Sequence, residues 1–333
     1  MNNLYGFNNY GVNNNSFFYG NNSKNTLAKT NSQNLRKIYS VIGLGLCIFF
    51  AVLFVSQAII LIMSANSNVV YESWYQIFIT DVPLYGVALW VLLFFMSKLQ
   101  AEKPEKRKFG FGNSVSLFFV SCFFMISGSL IGNFVDQIMQ TLFNVDVGNN
   151  LDYVADSMPI LGEVLFFVII APLGEELIFR KLILDRTAKY GAGAAIFFSG
   201  ITFAVFHGNF SQLFYAFGMG ILLAYVYVKT GSYVRCVLLH ATVNALFGVI
   251  IPHAYDYLGE INETIALYGI AGIESLFYFA GMVLFIVYLA TGKVKVEKSQ
   301  YELSSKASAC AFSNAPFIVF VSVMAASMFL VYG

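Results

Sequence analysis

Charge is scarce in this chain: 11% of its 333 residues are Asp, Glu, Lys or Arg, against 58% that are hydrophobic. An ordinary soluble domain carries roughly 25% charge, so too few charged groups are present to cover a water-facing surface. The little charge is balanced, 19 basic residues against 18 acidic ones, which leaves no electrostatic footprint for a nucleic acid or a strongly acidic partner. Cysteine is equally sparse, and Cys47, Cys122, Cys236 and Cys310 each stand alone in an apolar run. No CxxC or metal-type spacing occurs, so neither a disulfide framework nor a cysteine zinc site is indicated. They read as small buried hydrophobes, with Cys236, four residues before His240, kept as a minor thiol alternative. There are three histidines and no His-Glu-x-x-His string, so the usual helical zinc-protease signature is absent. The N-terminal stretch also lacks a basic segment followed by an apolar core, so no cleavable signal peptide is expected.

Apolar runs of spanning length are what the chain has in plenty. They cover approximately 39–63, 77–97, 114–134, 158–180, 192–208, 211–229, 234–252, 266–290 and 310–332. About 20 apolar residues cross a hydrocarbon core of roughly 30 Å, and a lipid-embedded backbone must satisfy its own hydrogen bonds, so each run is expected to be helical. The expected fold is all-α, a polytopic membrane bundle of about eight or nine transmembrane helices. Residues 1–34, rich in Asn, Tyr, Phe and Gly, are expected to be a disordered cytoplasmic tail, leaving 35–333 as the transmembrane domain. Lys and Arg collect at alternate span ends (Arg36 and Lys37; Lys103 to Lys108; Arg186 and Lys189; Lys293 to Lys298), whereas the intervening loops carry Glu72 and Asp81, then Asp146, Asp152 and Asp156, then Asp256, Glu260 and Glu263. That alternation predicts a multi-pass protein of the cell membrane with its N-terminus in the cytoplasm.

An ionisable group inside a span costs on the order of 2.5 to 3.5 kcal/mol, so each one present needs a reason. Glu175, Glu176 and Arg180 share the fourth span. Glu176 and Arg180, four apart, lie on one helix face and can pair; Glu175 points about 100° away and is left free for chemistry. His207 closes the fifth span, and His240 and Asn244, again four apart, lie on one face of the seventh. A carboxylate, two imidazoles and an amide are the parts needed to activate a water and hold an oxyanion, and partial desolvation moves such a carboxylate toward the range useful for a general base. Singly, an intramembrane His is commonly a packing residue and a Glu–Arg pair an interfacial anchor; the conjunction across three spans favours chemistry. Glu163 is expected to be solvated at the outer surface and His253 to stand in an outer loop without a partner, and neither is given a role.

The strings Glu175-Glu176-x-x-x-Arg180, Phe203-x-x-x-His207 and His240-x-x-x-Asn244, in that order over some 70 residues, resemble the CPBP family of intramembrane glutamic endopeptidases. That family groups type II CAAX prenyl endopeptidases with bacteriocin-processing and abortive-infection-type membrane proteins, and the resemblance covers roughly residues 155–255. It implies that Glu175 activates the attacking water with help from His207, that His240 and Asn244 stabilise the oxyanion, and that Glu176, Arg180 and Phe203 are structural. It further implies hydrolysis of a membrane-associated protein or peptide precursor near the cytoplasmic side, with no cofactor. A zinc site built from Glu and His, a non-catalytic scaffold and a transporter are the alternatives. At about 1.5 Å rise per residue, Glu175 lies about 16 Å from Arg186 and His240 about 8 Å from Arg235, but His207 about 24 Å from Gly191. Straight upright helices would not bring these groups level, so tilt, a kink at Pro172 or a fifth span starting below the surface is required.

Overall fold

The computed structural model describes residues 20–108, 110–145, 159–296, 308–330 and 332. Among these the chain forms nine helices: α1 (Gly20–Ser64), α2 (73–97), α3 (Phe111–Phe143), α4 (160–187), α5 (Ala192–Phe206), α6 (Phe210–Thr230), α7 (Tyr233–Ile261), α8 (Glu263–Ala290) and α9 (Ala315–Leu330). The all-α membrane bundle is thus as expected. Six of the nine are long and apolar enough to cross a bilayer: α1, α2, α3, α6, α7 and α8. α5 and α9 fall short, because helices of 15 and 16 residues reach only about 24 Å at 1.5 Å per residue. α4 is long but carries Glu163, Glu175, Glu176 and Arg180 within its length. The expected spans underestimate several helices; α7, for instance, runs on to Ile261, so Asp256 and Glu260 sit on a helix rather than in a loop. α1 reaches back to Gly20, into the stretch read as tail, while residues 1–19, Asp146, Asp152 and Asp156 lie outside the described residues.

The bundle is apolar on the outside as well as inside. Ile62, Met63, Trp90, Leu130, Phe134 and Leu276 are exposed, which suits a surface solvated by lipid tails. Inside, α1 buries Leu35, Tyr39, Ile42, Leu46, Phe49 and Leu53, a stripe of helical period. Leu92 and Met96 of α2 and Phe317, Phe320 and Met324 of α9 belong to the same buried core. Where burial of apolar area gives no net drive between lipid-solvated helices, close backbone approach substitutes for it. Gly128 and Gly132 of α3 lie directly on the backbone of Phe210, Ser211 and Tyr215 in α6, so a Cβ at either glycine would overlap it.

Three helices share one irregularity. In α2, α4 and α7 the winding widens to a π-helix over Val82–Ala88, Val164–Ile170 and Leu246–Ile250, and each wide stretch contains a proline or ends two residues before one, respectively Pro83, Pro172 and Pro252. Proline cannot donate to the helix ladder and its ring crowds the carbonyl four residues back. A wide turn accommodates both effects, and such turns recur at functional sites. A second wide stretch, Leu177–Leu184, follows the two glutamates of α4. All three helices present side chains to a single cavity of about 1040 Å³.

Candidate active site

Glu176 lies at the centre of a buried ionic network. Its side chain and that of Arg180 are fully buried, with Arg180 Nε 2.8 Å from Glu176 Oε2. That approach is an ion-pair contact; the aligned hydrogen bond runs from Arg180 Nη2 to Oε1 at 3.3 Å. Arg180 Nη1 donates to Ser199 Oγ at 2.9 Å, and its guanidinium lies 5.3 Å from the Phe203 ring centroid. Such a pair is tolerable in an apolar interior because each charge has a counter-charge and further polar contacts. The helical-spacing argument therefore agrees with where these two side chains sit.

His240 is the third member. Its Nδ1 lies 3.0 Å from Glu176 Oε1, so the proton on that nitrogen is donated to the carboxylate and Nε2 is left facing the cavity. Nε2 stands 3.8 Å from Glu175 Oε2, too far for a hydrogen bond but within range for a charge. The depth of His240 is set by the corner before it. Gly231 ends α6 with φ +59, and Ser232 caps α7 by accepting from Arg235 N–H. Tyr233, at the start of α7, donates its hydroxyl to the Leu173 carbonyl of α4 at 2.7 Å, tying the two helices beside the glutamates.

Glu175 is the carboxylate without a fixed partner. Its side chain is 12% exposed and lines the cavity, and its Oε2 is buried with no hydrogen-bond partner among the described residues. His207, at the end of α5, and His240 and Asn244, both on α7, line the same cavity. Asn244 Nδ2 donates at 2.9 Å to the Phe167 carbonyl. Ala171 N–H reaches the Phe166 carbonyl in the wide turn, and the next residue, Pro172, has no N–H to offer Phe167. Asn244 thus satisfies a carbonyl that a proline left open, and its second amide hydrogen remains for the cavity.

His207 reaches the cavity that Glu175 and His240 line. α5 stops at His207 because Gly208 turns with φ +68 and Asn209 caps α6, accepting from Gln212 N–H. His207 Nδ1 lies 2.9 Å from the Phe203 carbonyl one turn earlier, so the ring folds back along α5 toward Arg180 and His240. Phe203 fills the space between, with ring centroids 5.1 Å from His207 and 5.7 Å from His240.

Two assignments change. Glu163 is 1% exposed rather than solvated, and His253 is on α7 with its Nε2 2.9 Å from Glu163 Oε2. The continued helix brings them together, which a loop at 253 would not. Asp81, read as a loop acid, sits inside α2 and lines the cavity with Tyr85. Their spacing of four inside an apolar run was the available signal. Gln212 and Tyr215, which also line the cavity, had none, since they are placed by the α5–α6 corner, where Asn209 Nδ2 donates to Gln212 Oε1 at 2.8 Å. Cys236 does not line the cavity; its thiol points to the Leu223 carbonyl at 3.5 Å. Among the described residues no group of three or more His, Cys, Asp or Glu side chains is arranged to hold a metal ion.

Fold and site together define a multi-pass membrane protein with a carboxylate–imidazole centre enclosed among its helices. Over that centre, residues 157–246 match the family described as type II CAAX prenyl endopeptidase Rce1-like, in agreement with the resemblance read from the three motifs. The chain is also similar to UPF0177 protein YxdF of Lactococcus lactis subsp. lactis (strain IL1403), 28% identical over 110 residues. That alignment covers 33% of this chain and 60% of the relative, so the chain spans about three-fifths of the relative's length. No solved structure matches.

Proposed function

We propose that this protein is an intramembrane endopeptidase that hydrolyses a peptide bond of a membrane-associated protein or peptide precursor, using a water activated by Glu175. The observation that carries the reading is the contrast between neighbouring carboxylates: Glu176 is held by Arg180 and His240, while Glu175 lines the cavity and has a buried oxygen with no hydrogen-bond partner among the described residues. In this reading a water beside Glu175 gives up a proton as its oxygen adds to the scissile carbonyl carbon. His207, whose Nδ1 is bonded to the Phe203 carbonyl, accepts at Nε2 and orients that water. The oxyanion is met by the free amide hydrogen of Asn244 and by His240 Nε2, whose imidazolium form is balanced by Glu176. The long apolar and aromatic lining, including Phe50, Phe54, Phe166 and Phe247, suits a substrate presented from the bilayer. In this reading the chain lies in the cell membrane with its N-terminus in the cytoplasm, the orientation that the distribution of Lys and Arg favours.

The test compares protein termini in membranes of cells producing the wild-type chain or Glu175→Gln. New termini are expected only with the wild type, at equal membrane levels of the two proteins. Identical termini in both cells would leave a scaffold as the reading. Metal analysis of the purified protein, with activity followed in a chelator, separates the zinc alternative: activity that survives chelation supports the metal-free route, and activity that dies with loss of one bound zinc removes it.

A further inference from the structure

Peptide hydrolysis needs two proton movements, one from the water and one to the departing nitrogen. Glu175 accounts for the first. For the second, His207 is poorly placed, because its Nδ1 proton is already committed to the Phe203 carbonyl and its Nε2 in that tautomer can only accept.

We propose that Asp81 is the proton donor to the leaving nitrogen, working with Glu175 across the cavity; this rests on the endopeptidase reading. Asp81 lies on α2, far outside the segment 157–246 that matches the family, and at the entry to the wide stretch Val82–Ala88. Its carboxyl lines the cavity with Glu175 and is within electrostatic reach of it. Tyr85, one turn further along α2, lies so closely over Gly174 that a Cβ there would overlap the ring. This contact clamps α2 against the backbone immediately before Glu175, so helix packing sets the separation of the two carboxyls. The titratable groups around them are Tyr85, Tyr215, Tyr255, His207, His240 and Asp256; α1, α3 and α9 add only apolar or neutral side chains, and no Lys or Arg lines the cavity. These two acidic side chains therefore share a cavity that no Lys or Arg lines, which leaves one for the base role and the other for the donor role.

The steps balance. The water oxygen bonds to the carbonyl carbon as its proton passes to Glu175. The carbon–nitrogen bond then breaks while Asp81 protonates the nitrogen, and the proton on Glu175 passes through cavity water to Asp81, restoring the pair. Reactants are a peptide and one water; products are a carboxylic acid and an amine.

Two measurements on the full chain in lipid nanodiscs test this. Infrared spectra at neutral pH should show a protonated carboxyl stretch that is lost in both Asp81→Asn and Glu175→Gln; a stretch unchanged by Asp81→Asn overturns the proposal, whether or not activity is found. With a quenched fluorescent peptide ending in a farnesylated CAAX box as the probe, Asp81→Asn should lower kcat about 100-fold with KM within about twofold. It should also flatten the basic limb of the pH–rate profile, and Asp81→Glu should restore part of both. Wild-type kcat and profile in Asp81→Asn, beside an inactive Glu175→Gln, removes Asp81 alone. Wild-type turnover in Glu175→Gln removes the Glu175-activated water of the endopeptidase reading and this proposal with it.

Discussion

α4 and α7 are joined twice by a glutamate and a histidine, and the two junctions differ in nearly every physical respect. At the inner one His240 is 7% exposed and stands between Glu176, which is paired with Arg180, and Glu175. At the outer one His253 is 45% exposed and meets Glu163 alone. Only the inner junction borders the cavity. A glutamate–histidine contact is therefore no mark of chemistry by itself. What distinguishes the inner site is a spare carboxylate, left over once a neighbouring cation and imidazole have occupied its twin, and a space in which a water and a peptide can meet it.

The sharpest way to break that contrast is Glu175→Gln, which keeps shape and removes the proposed base. Turnover is expected to fall by about 10³ to 10⁴-fold, with thermal unfolding in detergent unchanged, since Glu175 holds no partner that folding requires. Arg180→Met strands Glu176 as a buried charge. Loss of about 3 to 5 kcal/mol of stability is expected, read as a lower denaturation midpoint or failure to accumulate. Asn244→Ala removes both a proposed oxyanion donor and the cap on the Phe167 carbonyl. A fall of about 100-fold in kcat is expected, together with a stability loss of about 1 to 3 kcal/mol from the orphaned carbonyl. The smallest effect belongs to the outer junction: Glu163→Gln should leave turnover within about twofold and lower stability by about 1 kcal/mol or less. Turnover that collapsed in Glu163→Gln as it does in Glu175→Gln would erase the distinction between the two junctions.

Local spacing carried a good part of the site. Four-residue intervals put Glu176 with Arg180, and His240 with Asn244, on common faces, and the offset of one residue turned Glu175 elsewhere, because helical geometry is the same wherever the helix sits. The same rule, applied with helices assumed straight and upright, failed for the level of His207, whose ring bends back along α5 to the Phe203 carbonyl. It also failed at the C-terminal end of α7. His253 meets Glu163 because α7 continues to Ile261, beyond the expected span 234–252. Asp81 went unrecognised for a related reason: its position near the N-terminal end of an apolar run looks like a flank, and only the packing of Tyr85 on Gly174 turns that flank into a cavity wall.

The amino-acid sequence by itself determined that this chain lives in a bilayer as a helical bundle, because scarce charge and long apolar runs admit no other solvent and a lipid-facing backbone no other spanning form here. It also determined which few polar residues needed explaining, since each is costly where it stands. Tertiary structure alone decided which of them meet. Wide turns beside Pro83, Pro172 and Pro252, the corner at Gly208 and the glycine contacts between helices set the rotation and depth of each helix, and those rigid-body relations are summed from packing across the whole bundle rather than written in any local interval.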